Sequence, residues 1–495
     1  MMSTGKALEA GATLRKRMAR PSGGYAPIVG MPQLLPVLAL AFAAAASYAL
    51  GSWWDNDINY IIALGRSIIA DGLPWTDPLT CNEGLDCIAQ QWLFCVACAL
   101  LYDNGGEAAV SALVLALWCA AAACTYKACR AAGASERLAS AATAAALAVC
   151  IPFVKTNPRA IDVCALMACV WAVSRFLDGS GRALLVPIAV SAAMANLHCT
   201  MWPVAAIPLV AAMADGRADG RRRMVVACLA ATCAASAASP YGIWSSLYVF
   251  MSMGPGLAAL GIGELEPPQF GFSNIYFDAF LLAVLAYVLV RARRGGRLGY
   301  ADALMAIMSA MMFSQVRNGL LFLPVSASAF CGLLKDRAAG APCVGAALAR
   351  FGACALLAVG SAGLLLAAEP ESLWHGESRD AVLAAFADAG VEPGDAVLNS
   401  FGTGGWLELA GLRPAYDERA ELFLPQVNGG QDLASDMVRI SRKYPSELLA
   451  RVEPEKYAAC VLQTEEAPYY EAVMPQAGYT LVFADESLTA WARER

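Results

Sequence analysis

The chain has 495 residues, of which 58% are hydrophobic and 15% charged, and its mean hydropathy is +0.52. Soluble domains sit near half apolar and a quarter charged, so these values exclude an ordinary soluble protein and imply several membrane spans. The net charge of -6 argues against a nucleic-acid partner, and the presence of only two histidines, His198 and His375, excludes a multi-histidine metal centre.

The N-terminal tail (1–32) carries Lys6, Arg15, Lys16, Arg17 and Arg20. The apolar run Leu34–Leu50 that follows has no small-residue cleavage site straight after it, so it reads as an uncleaved first span. Further runs lie at Ala108–Tyr126, Leu138–Val154, Ile161–Leu177, Ala183–Leu197, Thr200–Ala214 and Met224–Ser239. Four more lie at Ile275–Val290, Ala301–Phe313, Gly319–Leu334 and Phe351–Ala368. The prediction is a mainly α, polytopic helical bundle over 33–368 with about eleven crossings. The stretch Ala183–Ala214 is either two short spans that turn at His198–Pro203 or one broken helix. Most cysteines, including Cys95 and Cys98, lie in apolar sequence and read as packing residues.

The distribution of basic residues assigns the sides. With the N-terminus in the cytoplasm, one set of loops holds Lys127, Arg130, Arg137, Arg217, Arg221, Arg222, Arg223, Arg291, Arg293, Arg294, Arg297, Lys335 and Arg337. The opposite loops before Glu369 hold Arg66, Lys155, Arg159 and Arg317. The short apolar piece Gln90–Tyr102 would destroy this bias if it crossed. It is therefore expected as a juxtamembrane or re-entrant segment of the first outer loop (53–107).

From Glu369 the composition changes. Apolar runs at Ala396–Leu398, Ala458–Leu462 and Thr480–Ala484 read as buried strands, and Ser378–Ala389 and Leu433–Leu449 have helical patterns. Turns are expected at Glu392–Asp395, Asn428–Gly430 and Glu453–Glu455. The prediction for 369–495 is a small extracytoplasmic α/β domain. Gly402-Thr-Gly404-Gly405 lacks the Lys-Ser/Thr of a phosphate loop and reads as a tight turn after a strand. Asp417, Glu418, Arg419 and Glu421 read as a salt-bridge cluster, with a glycan contact as the other reading.

The outward-facing polar residues carry the functional signal. Asp55 and Asp57 precede an apolar helical pattern at Ile58–Ala70. Carboxylates placed there can accept a proton from a hydroxyl or hold a divalent cation against a phosphate; the alternative is that they cap the helix. Arg159 and Arg317 at membrane boundaries can pair with a phosphate, against simple snorkelling. His198 taken alone reads as a structural histidine. Collected on one face, such charges are functional by default. Cys81 and Cys87 flank a short outer loop and are a disulfide candidate.

The order Asp55-x-Asp57-x-x-Tyr60, Gly65-Arg66, Gly72-x-Pro74-x-Thr76-Asp77-Pro78 and Gln91-Trp92-Leu93 resembles bacterial relatives of the GT-C glycosyltransferases. That superfamily includes protein O-mannosyltransferases and aminoarabinose transferases. Asn196-Leu-His198, Ser239-Pro-Tyr241-Gly242, Glu266-x-Pro268, Val316-Arg317-Asn318, Asn399-Ser-Phe-Gly402 and Asp417-Glu-Arg-Ala-Glu-Leu422 continue the resemblance along the chain. It implies sugar transfer from a polyprenyl-phosphate donor at the outer face of the cytoplasmic membrane, to a lipid, glycan or protein acceptor of the cell envelope. Carried over, Asp55 is the base and Asp57 its partner or a cation ligand. Arg66, Arg159 or Arg317 hold the donor phosphate. His198 and Glu266 line the acceptor or sugar pocket, and Gln91, Asn196, Tyr241 and Asn318 are further substrate-binding candidates. The acids are spaced Asp-Asn-Asp rather than adjacent, which leaves open which one acts. Members of the superfamily divide on metal use, so a divalent cation at Asp55 and Asp57 also stays open. Two other functions compete. A transporter or flippase of lipid-linked sugars would place charges at mid-span in matching halves, and neither feature is evident. A non-catalytic scaffold for envelope assembly is the other.

Overall fold

The computed structural model describes residues 34–252, 263–271, 275–334, 344–367, 376–434 and 456–493. The basic tail, His375, Lys335, Arg337, most of Leu433–Leu449 and Glu453–Glu455 lie outside the described residues.

The chain is a helical bundle followed by a small α/β domain. The first helices are α1 (Leu34–Ala49), α2 (Asp57–Asp71), α3 (Trp92–Ala131), α4 (Glu136–Val149) and α5 (Arg159–Leu177). Then follow α6 (Leu185–Leu197), α7 (Pro203–Ala212), α8 (Arg222–Ala235), α9 (Ile243–Ser252) and α10 (Ile275–Arg294). Helices α11 (Tyr300–Ser314), α12 (Gly319–Leu334) and α13 (Val344–Ala367) complete the bundle. Their shared core is apolar, with Trp118, Phe176, Phe280 and Phe322 among its fully buried side chains.

The protein is a multi-pass membrane protein. Among the described residues three helices are long and apolar enough to cross a bilayer singly: Trp92–Ala131, Arg159–Leu177 and Val316–Leu334. A fourth crossing results if Cys199–Ala212 and Gly216–Ala235, bent by 107°, act as one. Most of the other predicted spans are present as shorter apolar helices. At 1.5 Å per residue, a helix of 13–16 residues rises roughly 20–24 Å, short of the roughly 30 Å hydrocarbon core.

Two local expectations are refined. Gln90–Tyr102 is not separated from the next span by a loop. It is the first arm of α3, which turns at Gly106 (φ 61°, ψ -158°) into the long second arm. Glycine takes this positive φ at no steric cost. The Ala183–Ala214 stretch is two helices, because His198 leaves helical geometry (φ -167°, ψ 79°) between α6 and α7. Helix α9 was not anticipated.

Helices α14 (Gly376–Asp388) and α15 (Gly404–Leu409) accompany a five-stranded sheet. Its strands are β1 (Ala396–Asn399), β2 (Arg413–Pro414), β3 (Ala459–Gln463), β4 (Tyr479–Ala484) and β5 (Leu488–Arg493), in the order β2-β1-β3-β5-β4. Strand β1 runs parallel to β2 and β3, while β5 pairs antiparallel with β3 and β4. The three expected strands are present; the edge strand β2 and the final strand β5 were missed. The glycine segment 402–405 is not merely a turn, since it leads through a 3₁₀ turn at Phe401–Thr403 into α15.

The α/β domain is fastened to the 53–107 segment. Helix α15 packs on α2, and a Cβ at Gly404 would stand 2.1 Å from the Tyr416 carbonyl oxygen. A Cβ at Gly405 would stand 3.0 Å from the Tyr60 amide nitrogen. Only glycine permits so close an approach of two backbones. Cys81 N donates to Pro414 O at 2.9 Å, Asn82 Nδ2 to Ala415 O at 2.7 Å, and Arg413 Nη2 to Thr80 O at 2.8 Å.

Candidate functional site

A polar cavity of about 150 Å³ opens where the 53–107 segment, several helix ends and the α/β domain meet. The first loop contributes Asp57, Tyr60, Gln90 and Gln91. The start of α5 contributes Asn157, Arg159 and Asp162. His198, Thr200, Glu264, Arg317 and Asn318 line other sides, and Glu418 and Glu421 close it from the α/β domain.

The two first-loop acids have different surroundings. Asp55 Oδ2 accepts from Asn157 Nδ2 at 2.7 Å, and its Oδ1 lies 4.0 Å from Lys155 Nζ. Its backbone amide donates to Thr156 Oγ1 at 3.0 Å. Asp55 is therefore held in place beside the cavity, and it is Asp57 that lines it. The Asp57 carboxylate accepts no hydrogen bond among the described residues. Burial, then the Asp55 carboxylate, hold its pKa well above the usual carboxylate range. Neither acid caps α2: Asn56 stands at the N-cap, and its amide donates to Gly402 O at 3.3 Å. Of the two acids, the geometry places Asp57, not Asp55, in the cavity lining.

Arg159 Nη2 donates to Glu264 Oε2 at 2.5 Å, and Arg317 Nη1 lies 4.0 Å from Glu264 Oε1. Burial raises the Glu264 carboxyl, but Arg159 and Arg317 outweigh it and hold it below its ordinary value. His198 Nδ1 shares a hydrogen with Asp162 Oδ1 at 2.8 Å, so the imidazole is oriented by a buried carboxylate. Gln90 links the walls: Thr200 Oγ1 donates to its Oε1 at 2.9 Å, and its Nε2 donates to Glu421 Oε1 at 2.9 Å. Gln91 Nε2 donates to Tyr60 Oη at 2.8 Å. Burial pushes the Glu418 and Glu421 carboxyls up, toward forms that can donate.

Asp57, Gln91, Arg159, His198, Arg317 and Asn318 therefore converge as expected. Four candidates lie elsewhere. Arg66 Nη2 pairs with Asp103 Oδ1 at 2.6 Å on the surface. Asn196 accepts from Trp92 Nε1 at 3.0 Å. Tyr241 Oη donates to Pro74 O at 2.9 Å. Glu266 gives way to Glu264, and its carbonyl instead accepts from Val316 N at 2.9 Å. The disulfide considered from the sequence is absent: Cys81 and Cys87 are free thiols, with Cys87 Sγ 3.8 Å from Arg419 Nη1. Among the described residues no three of His, Cys, Asp and Glu are grouped as metal ligands.

Within the 417–421 cluster, Arg419 forms the expected salt-bridge cluster. Arg419, 6% exposed, bonds Asp417 and lies 2.8 Å from Asp77 Oδ1 and 3.7 Å from Glu408 Oε1. Its neighbours Glu418 and Glu421 line the cavity. Asp162, three residues after Arg159 on the same helix face, was a missed residue with a usable sequence signal, an acid beside a predicted span end, and Glu264 was another.

No protein-family model and no curated protein matches the sequence. Solved structures do. The archaeal oligosaccharyltransferase AglB from Archaeoglobus fulgidus, in complex with an inhibitory peptide and a dolichol-phosphate, aligns over 93% of this chain and 74% of its own, with a TM-score of 0.56 and 14% identity. ArnT from Cupriavidus metallidurans, in the apo state, aligns over 92% of this chain and 97% of its own, with a TM-score of 0.53 and 15% identity. Both are GT-C glycosyltransferases, and at such low identity the likeness is one of architecture: this chain has the GT-C fold.

Proposed function

We propose that the protein is an inverting glycosyltransferase that moves a sugar from a polyprenyl-phosphate donor to an envelope acceptor. It would work at the outer face of the cytoplasmic membrane, with the N-terminus inside and the α/β domain outside. In this reading the membrane domain spans 33–368 and the shorter helices contribute to about eleven crossings. The observation that carries it is Asp57: a raised carboxyl without a hydrogen-bond partner among the described residues, in the same cavity as Arg159 and Arg317.

The chemistry follows from those groups. Asp57 takes the proton of an acceptor hydroxyl as its oxygen bonds to the anomeric carbon from the face opposite the phosphate. The bond from that carbon to the phosphate oxygen breaks, and its electron pair leaves with the polyprenyl phosphate. Arg159 and Arg317 stabilise that anion. His198, fixed through Nδ1, offers Nε2 to the substrate, and Gln90, Glu418 and Glu421 offer hydrogen bonds to sugar hydroxyls. Proton removal by a placed base is worth about 10²–10⁴ in rate.

Binding of a polyprenyl phosphate to the protein in nanodiscs tests this. Asp57→Asn should bind as the wild type does, while Arg317→Ala loses binding. Absence of any polyprenyl-phosphate binding by the folded wild type would refute the donor assignment.

A further inference from the structure

The two arginines of the cavity already hold an anion. Glu264 reaches Arg159 with one carboxylate oxygen, at 2.5 Å, and faces Arg317 with the other, at 4.0 Å. Two non-bridging oxygens of a phosphate would meet the guanidinium groups in the same way. The placement is built into the backbone. The amide of Val316 bonds the Glu266 carbonyl and ties the turn Gly263–Leu265 beside Arg317. Glu264 is also on the open side of the cluster, 42% exposed at its side chain against 21% for Arg159 and 24% for Arg317. Asp55 and Asp57 also lie close enough to Arg159 to interact with it electrostatically.

We propose that Glu264 is an internal anion seated where a ligand's phosphate binds, and that a phosphorylated ligand takes Arg159 and Arg317 over from it. This rests on the donor reading for the identity of the ligand but not for the seat itself. The competition sets a threshold: the cavity stays closed to weak anions and admits one that pairs with both arginines at once.

Two probes separate the two ideas, a short-chain polyprenyl monophosphate and inorganic phosphate, each titrated into the protein in nanodiscs. Glu264→Gln should bind both up to about fivefold more tightly, the scale of one partly exposed ion pair. Glu264→Ala, which removes the charge without adding an amide, should show the same gain. Adding Arg159→Ala to Glu264→Gln should abolish it. Equal or weaker phosphate binding by both Glu264 variants would overturn the proposal and make Glu264 an orienting residue. If inorganic phosphate gains while the lipid phosphate binds no form, the seat stands and the donor reading falls. If the lipid phosphate binds the wild type and neither Glu264 variant improves on it, the donor reading stands and the competition falls.

Discussion

Replacing Arg419 with methionine tests how the α/β domain is locked to the 53–107 segment. Arg419 is the cation among three buried acids: it bonds Asp417, lies 2.8 Å from Asp77 of the loop, and lies 3.7 Å from Glu408. The Asp77, Asp417 and Glu408 side chains are fully buried. Asp77 is pulled up by burial, but Arg419 and the Thr80 hydrogen bonds outweigh this and hold it below the usual range. Glu408 is pushed well up by burial and by Asp417. Methionine keeps the volume and leaves two buried carboxylates without a cation. Removing one partner of a buried pair costs about 3–5 kcal/mol, so amide protection in the loop should fall by about two to three orders of magnitude. Hydrogen exchange at Asp77, Cys81 and Cys87, whose amides bond Leu85, Pro414 and Trp75, reads this directly. The sign with pH is fixed. A carboxyl with a depressed folded pKa stabilises above its unfolded pKa, and that contribution is lost as pH falls through the folded value. The gap between wild type and Arg419→Met should therefore be full at neutral pH and shrink in acid. Adding Asp77→Asn should restore part of the protection. Unchanged protection at neutral pH, or a deficit that ignores pH, would refute the reasoning.

Other measurements address the site and the packing. Transfer activity should fall as pH drops through the raised pKa of Asp57, because only the carboxylate can accept a proton. In Asp55→Asn this acid limb should move to lower pH, since the Asp55 charge helps raise Asp57; an unmoved limb in a pH–rate profile would count against Asp57 as the base. Gly65→Ala would put a Cβ 2.1 Å from the Cys95 carbonyl oxygen where α2 crosses α3. It should destabilise by about 1–3 kcal/mol or more, whereas Gly363→Ala, with nothing within 4 Å, should not lower the thermal unfolding temperature. Alkylation of the unfolded chain without reductant should label both Cys81 and Cys87, and labelling that requires reductant would establish a bridge instead.

Much of the molecule was legible along the chain. Composition and the long apolar runs marked a membrane bundle, because transfer into hydrocarbon is decided residue by residue. The runs at 396–398, 458–462 and 480–484 marked strands because buried strands are locally apolar. Asp57, Arg159, His198 and Arg317 were placed on one face by the same local logic. Tertiary structure decided the rest. Asp55 and Asp57 both flank the start of one helix, and only packing against Asn157 and Lys155 withdrew the first and left the second in the cavity. Glu418 and Glu421 reach the cavity across a separation of more than 300 residues from Gln90. No periodicity records such a pairing, because it comes from two surfaces brought together by Gly404, Gly405 and the Arg419–Asp77 pair. Local pattern tells each segment which solvent it prefers, whereas the side chains that meet in a cavity are chosen by the packing of segments distant in sequence.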